Sequence, residues 1–163
     1  MTVEEWALVC TVVFTGLWSG LLLMLTTVLH PMMQRMDGAG FARFLAAFLP
    51  VARKAASNYI AVIGMVVASL AAVVTLADTP GEAPFVLAAI GFLLCLGGPL
   101  LISSRLAEPN YDVILGWDPG AVPDDWGVAR RRYFTLNWVR AACTWVAFAL
   151  FLAAAYLHVS GAG

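Results

Sequence analysis

The sequence predicts an all-α integral membrane protein, a four-helix transmembrane bundle with a short interfacial amphipathic helix. Two observations carry this prediction. Of 163 residues, 62% are hydrophobic and 12% charged, against roughly 25% charged in a soluble domain. The apolar residues also fall into four blocks, at about residues 6–30, 55–77, 85–105 and 130–158. Each is long enough for the roughly 20 residues that cross a bilayer as a helix. No stretch is left for a soluble unit, so residues 1–163 are expected to form a single transmembrane domain.

The first block is uncharged from Trp6 to Leu29. Glu4 and Glu5 stand where a signal peptide carries positive charge, and the apolar run is too long for a signal core, so it is expected to remain as a span. Thr11, Thr15, Ser19, Thr26 and His30 lie within an arc of about 100° on one helical face. Their hydroxyls can bond their own backbone or face a ligand. Gly16 and Gly20 form a GxxxG, which favours close helix packing in lipid.

Between the first two blocks, Phe41, Phe44, Leu45 and Phe48 recur at helical spacing and predict an amphipathic helix in the interface, interrupted at Pro50. After the third block, Glu108-Pro109, Asp118-Pro119-Gly120 and Pro123-Asp124-Asp125 read as turns. The apolar residues between them, Tyr111 to Trp117, are expected to dip into the headgroups. Asp124 or Asp125 is placed to cap the fourth helix. Cys10, Cys95 and Cys143 each sit in an apolar block without a CxxC pair and read as packing residues.

Charge sets the orientation. Arg35, Arg43, Arg53 and Lys54 flank the first connection, and Arg105, Arg130, Arg131 and Arg132 flank the last. The connection over residues 78–84 and both tails carry no Lys or Arg, a bias of eight to none with Arg140 set aside. The positive-inside rule then predicts a multi-pass protein of the cell (cytoplasmic) membrane with both termini exoplasmic.

Polar side chains are costly in hydrocarbon, so their positions mark candidate chemistry. Arg140 lies about two turns inside the fourth block from the Arg130–Arg132 cluster. Asn137 and Thr144 share its face. His30, Asn58, Glu108 and Asn110 are expected near the same depth. Only two histidines occur, His30 and His158, and they belong to opposite membrane faces, which disfavours haem or a three-histidine metal site. There is no Glu-x-x-His pair, no P-loop, no Gly-x-Ser-x-Gly elbow and no mid-membrane carboxylate. No metal or cofactor is therefore expected. The lack of a basic, aromatic-rich soluble segment argues against nucleic acid as a partner.

The four spans, His30-Pro31 closing the first, Pro109-Asn110 after the third, and Leu136-Asn137-Trp138-Val139-Arg140 in the fourth resemble the anthrone oxygenase-like family, largely a domain of unknown function. That resemblance implies a small membrane oxidoreductase that oxygenates a hydrophobic polycyclic phenol or anthrone without a cofactor, by proton abstraction and reaction with molecular oxygen. In that scheme His30 is the base. Arg140 and Asn137 act as catalytic stabilisers of the anionic oxygen, with Asn110, Asn58 and Glu108 binding substrate. The alternative is a non-catalytic membrane subunit that binds a lipid or quinone through the same groups. The expected partners are a hydrophobic small molecule and membrane lipid, and the chain's size is compatible with a homo-oligomer or a membrane complex.

The orientation is open to direct test. Reporter fusions at Gly163 and within residues 78–84 are both expected to report the exoplasmic side, and a cytoplasmic signal from either overturns the topology.

Overall fold

The computed structural model describes residues 1–161, and Ala162 and Gly163 of the C-terminal tail lie outside the described residues. Within them, five helices account for nearly all of the chain. Four are long and apolar enough to cross a membrane: α1 (Val3–Gln34), α3 (Ala56–Thr75), α4 (Ala83–Leu115) and α5 (Trp126–Ser160). The fifth, α2 (Gly38–Lys54), is the amphipathic helix of the first connection. The long helices run alternately up and down. α1 packs on α3, α3 on the first half of α4, α4 on α5, and α5 back on α1. This is the all-α bundle that the apolar blocks predict.

Several ends differ from expectation, each for a local reason. α2 passes through Pro50 rather than stopping there. Proline removes one helical hydrogen bond, and the carbonyl that loses its donor belongs to Ala46, which is exposed, so the break is tolerated. Asp37 starts α2 by accepting a bond from the Gly40 amide at 2.7 Å. The expected Glu108-Pro109 turn is helical instead: α4 continues to Leu115 and carries Tyr111 and Ile114 inward, not to the headgroups. Asp125 stands at the cap of α5 but makes no side-chain cap bond.

Two stretches wind as π-helix, Leu25–Leu29 in α1 and Leu96–Ala107 in α4. In a π turn an amide bonds the carbonyl five residues back, which widens the helix and often marks a functional site. The His30 amide reaches the Leu25 carbonyl, and the Glu108 amide reaches that of Ser103. Each stretch ends two residues before a proline, Pro31 or Pro109. A proline has no amide hydrogen, and its ring clashes with the carbonyl four back, so the preceding turn gains by loosening. Pro99 adds a second such defect within the longer stretch.

The polar stripe of α1 is buried, as its arc predicts: Thr11, Thr15, Ser19, Thr26 and His30 all face inward. Thr11 and Thr26 donate to carbonyls one turn back, at 2.8 and 2.7 Å. The GxxxG reading holds at one glycine only. A Cβ on Gly16 would meet Phe148 at 3.1 Å, whereas one on Gly20 would meet nothing within 4 Å. Close helix approaches occur at Gly98, where a Cβ would lie 2.5 Å from that of Cys143, and at Gly64, where one would lie 2.5 Å from the Phe14 ring. Cys143 is thus a packing residue at the α4–α5 contact, while Cys10 is exposed.

Gly98→Leu is expected to destabilise the protein in detergent by about 1–3 kcal/mol, the usual range for overpacking, with Gly20→Leu near neutral. Thermal unfolding of the two variants side by side checks this, and equal stability would place the tight contact elsewhere.

Candidate functional site

The bundle holds a partly open cavity of about 760 Å³, a size typical of small-molecule sites. It lies between the π-helical part of α4, the C-terminal half of α1, the start of α3 and the first half of α5, with α2 across one end. Its walls are mostly apolar: Leu21, Leu22 and Leu25 of α1, Val62 and Ile63 of α3, and Pro99 and Leu100 of α4. Ser103 and Ser104 also line it, but each hydroxyl donates back to a carbonyl one turn earlier, Pro99 or Leu100, which reduces their polarity.

Arg140 forms the inner end. It is 8% exposed. Its Nη1 donates to the Tyr111 hydroxyl oxygen at 3.1 Å and to Asn137 Oδ1 at 3.0 Å, and its guanidinium carbon lies 5.8 Å from the Trp18 ring centroid. Among the described residues no carboxylate pairs with it. Arg140 Nε, Asn137 Nδ2 and Trp18 Nε1 have no protein acceptor. Thr144 shares the face but donates to the Arg140 carbonyl at 2.8 Å, not toward the cavity. This end is therefore rich in donors, with its one side-chain amide oxygen already engaged. A cation so placed favours a ligand atom that accepts hydrogen bonds or bears negative charge.

Tyr111 also borders an ion-paired roof, where the Arg53 guanidinium carbon lies 5.7 Å from its ring centroid. Arg53 of α2 contacts Glu108 Oε2 at 2.6 Å and Asp112 Oδ1 at 2.8 Å, both on α4. Partial burial opposes its charge, but the Asp112 hydrogen bond and the pull of Glu108 and Asp112 prevail and raise its pKa above the ordinary arginine value. Asn58, at the start of α3, donates to the Ala52 carbonyl at 2.9 Å and ties α3 to the end of α2.

Of the residues singled out in the sequence, Arg140, Asn137, Asn58 and Glu108 line the cavity, and His30 and Asn110 do not. Asn110 turns to α5, donating to the Ala129 carbonyl at 3.2 Å, and so fastens two helices together. His30 is 1% exposed and packs among aromatic rings, 4.5 Å from Phe134, 5.8 Å from Tyr133 and 6.4 Å from Trp138 between centroids. Neither of its nitrogens has a partner. Tyr133 lines the cavity and also packs on His30. The face of α1 that carries His30 therefore points past the cavity into the α5 aromatic cluster.

Sequence reasoning missed Tyr111, Arg53, Asp112 and Trp18 as lining residues. Tyr111 was hidden by the turn expected at Glu108-Pro109. Trp18 carries no signal in an apolar block, although it occupies the helical face of Ser19 and Leu22 that points inward. Among the described residues no three His, Cys, Asp or Glu side chains converge in a way that could hold a metal ion.

No family model, no curated protein and no solved structure matches the chain. The functional reading therefore rests on the cavity and its donors.

Arg53→Gln is expected to lower stability by no more than about 1 kcal/mol, since Asp112 is largely and Glu108 partly solvated. The same change should speed amide hydrogen exchange over residues 48–54 by releasing the end of α2. Unchanged exchange there would mean that α2 is held by its apolar face alone.

Proposed function

We propose that this protein binds a hydrophobic aromatic or quinone-type molecule within the membrane and holds one ligand oxygen at Arg140 and Tyr111. One observation carries this reading: a buried guanidinium without a carboxylate partner, at the inner end of an apolar cavity. An arginine facing lipid costs roughly 2.5–3.5 kcal/mol on insertion scales. A structural arginine recovers this through a full set of partners, whereas Arg140 keeps its Nε unpaired. The Tyr111 oxygen accepts from Arg140, which leaves the tyrosine's own hydrogen for an acceptor on the cavity side.

Oxygenation is the second reading, and the charge at the inner end favours it. Conversion of an anthrone and one O₂ to an anthraquinone and water begins with loss of a C–H proton and passes through an electron-rich anion. Arg140 and Tyr111 would stabilise the oxygen of that anion. The carboxylates on the lining are Glu108 and Asp112, both engaged by Arg53. His30, the base implied by the family resemblance, has no direct path to a ligand here, because its ring is enclosed by Tyr133, Phe134 and Trp138.

Binding of 9,10-anthraquinone to the reconstituted protein, and oxygen uptake with anthrone after metal stripping, separate the readings. Loss of a charged hydrogen bond costs about 1.5–3 kcal/mol. Arg140→Leu should therefore weaken binding by about 10- to 150-fold, with Arg131→Leu close to wild type. Intact binding in Arg140→Leu removes the cavity reading. Binding without oxygen uptake leaves the non-catalytic role. If uptake occurs, His30→Phe is expected to retain it within about tenfold, and the loss of about 10²–10⁴-fold typical of a missing general base would return His30 to that role.

A further inference from the structure

The cavity is not closed on all sides. α3 packs on the first half of α4 but barely touches its π-helical half. Tyr59, Ile63 and Leu100 line the cavity and are 57%, 59% and 39% exposed. Ile60, which neighbours Tyr59 on α3 outside the lining, is 61% exposed, so this side of the cavity borders the apolar outer face of the bundle. The end of the cavity nearer the Arg130–Arg132 cluster is different, because α2 lies across it and Arg53 fastens α2 to Glu108 and Asp112. The apolar side is thus open where the polar end is roofed.

We propose that the gap between α3 and the π-helical half of α4 is a lateral portal, in which the apolar tail of a membrane-dissolved ligand lies while its polar oxygen reaches Arg140. This rests on the cavity reading above and adds the ligand class, a ring-headed amphiphile with a tail, exchanged with the bilayer leaflet rather than with water. The π winding supplies the opening. Pro99 and the loosened turns around it displace this half of α4 from a regular helical path. The serine hydroxyls on its wall are already bonded to backbone, so a hydrocarbon tail meets no unsatisfied group there.

A tail gains little by leaving lipid for an apolar portal, because hydrocarbon is as apolar as leucine. The portal therefore predicts tolerance of a tail, not added affinity from it. The probes are 9,10-anthraquinone and its 2-decyl derivative, bound to protein in phosphatidylcholine vesicles, with affinity expressed per mole of lipid. In the wild type the two are expected to agree within about threefold, less than 1 kcal/mol. Ile63→Trp and, independently, Leu100→Trp should weaken the decyl probe at least about tenfold more than the tail-less probe, a difference near 1.4 kcal/mol. Ile60→Trp, exposed and outside the lining, is the control that should alter neither. A diazirine at the end of the tail should label residues 59–63 or 100–104, in competition with unlabelled probe. A decyl probe at least tenfold weaker than the tail-less one in the wild type overturns the portal. So does an equal effect of Ile63→Trp on both probes, or competed labelling on the outer faces of α1 or α5. In each of these cases tail-less binding that still depends on Arg140 preserves the cavity reading. Failure of the tail-less probe to bind at all overturns both.

Discussion

A guanidinium inside an apolar bundle must be given partners, and in this protein three of the four long helices take part in doing so. Asn137 lies one turn before Arg140 on α5, Tyr111 comes across from α4, and Trp18 presents its ring from α1. Tyr111 can reach Arg140 only because α4 continues as helix past Pro109. Trp18 can do so only because α1 packs against α5. Moving α4 or α1 by one turn would take one of these partners from the cation, and the loss of a hydrogen bond to a charged group costs about 1.5–3 kcal/mol. Arg140 therefore fixes the register of the bundle as well as the character of its cavity.

Two π-helical stretches convert that register into space. The longer stretch contains both the close α4–α5 approach at Gly98 and the cavity wall formed by Pro99, Leu100, Ser103 and Ser104. The same proline-terminated pattern in α1 ends at His30 and turns its ring toward Phe134 and Tyr133. One local rule, a proline that cannot supply the next amide, thus operates on both sides of the site.

The four spans, the amphipathic helix and the inward arginine were legible in the sequence because each follows from hydrophobic length, periodicity or the cost of charge. The partnership of Asn137 with Arg140 was legible too, since a spacing of three residues on a helix implies a shared face. Helix continuity through Pro50 and Pro109 was not, because the local preference of proline was overridden by exposure at Pro50 and by the π register before Pro109. His30 lies inside the bundle with the rest of the polar stripe, as the count of 100° per residue places it, but it meets the α5 aromatic cluster rather than the cavity, a distinction that periodicity within one helix does not carry. Asn110 fastens α4 to α5 through the Ala129 carbonyl instead of lining the cavity, a tertiary contact that no spacing along α4 predicts.

Electrostatics and access then point to the same kind of occupant. The roof at Arg53 carries one cation and two carboxylates, a negative charge in excess, so it disfavours an electron-rich ligand oxygen. The inner end carries one cation and no carboxylate. A ligand's most electron-rich oxygen is therefore drawn inward, away from water, and its apolar remainder is left along Leu22, Leu25 and Ile63. A water-soluble anion would have to pass the ion-paired roof and leave its hydration shell to reach the same cation, whereas an amphiphile already in the leaflet has shed that shell along most of its length. The arrangement of donors inside, hydrocarbon along the walls and a gap toward lipid selects by how a molecule partitions before it selects by how it binds.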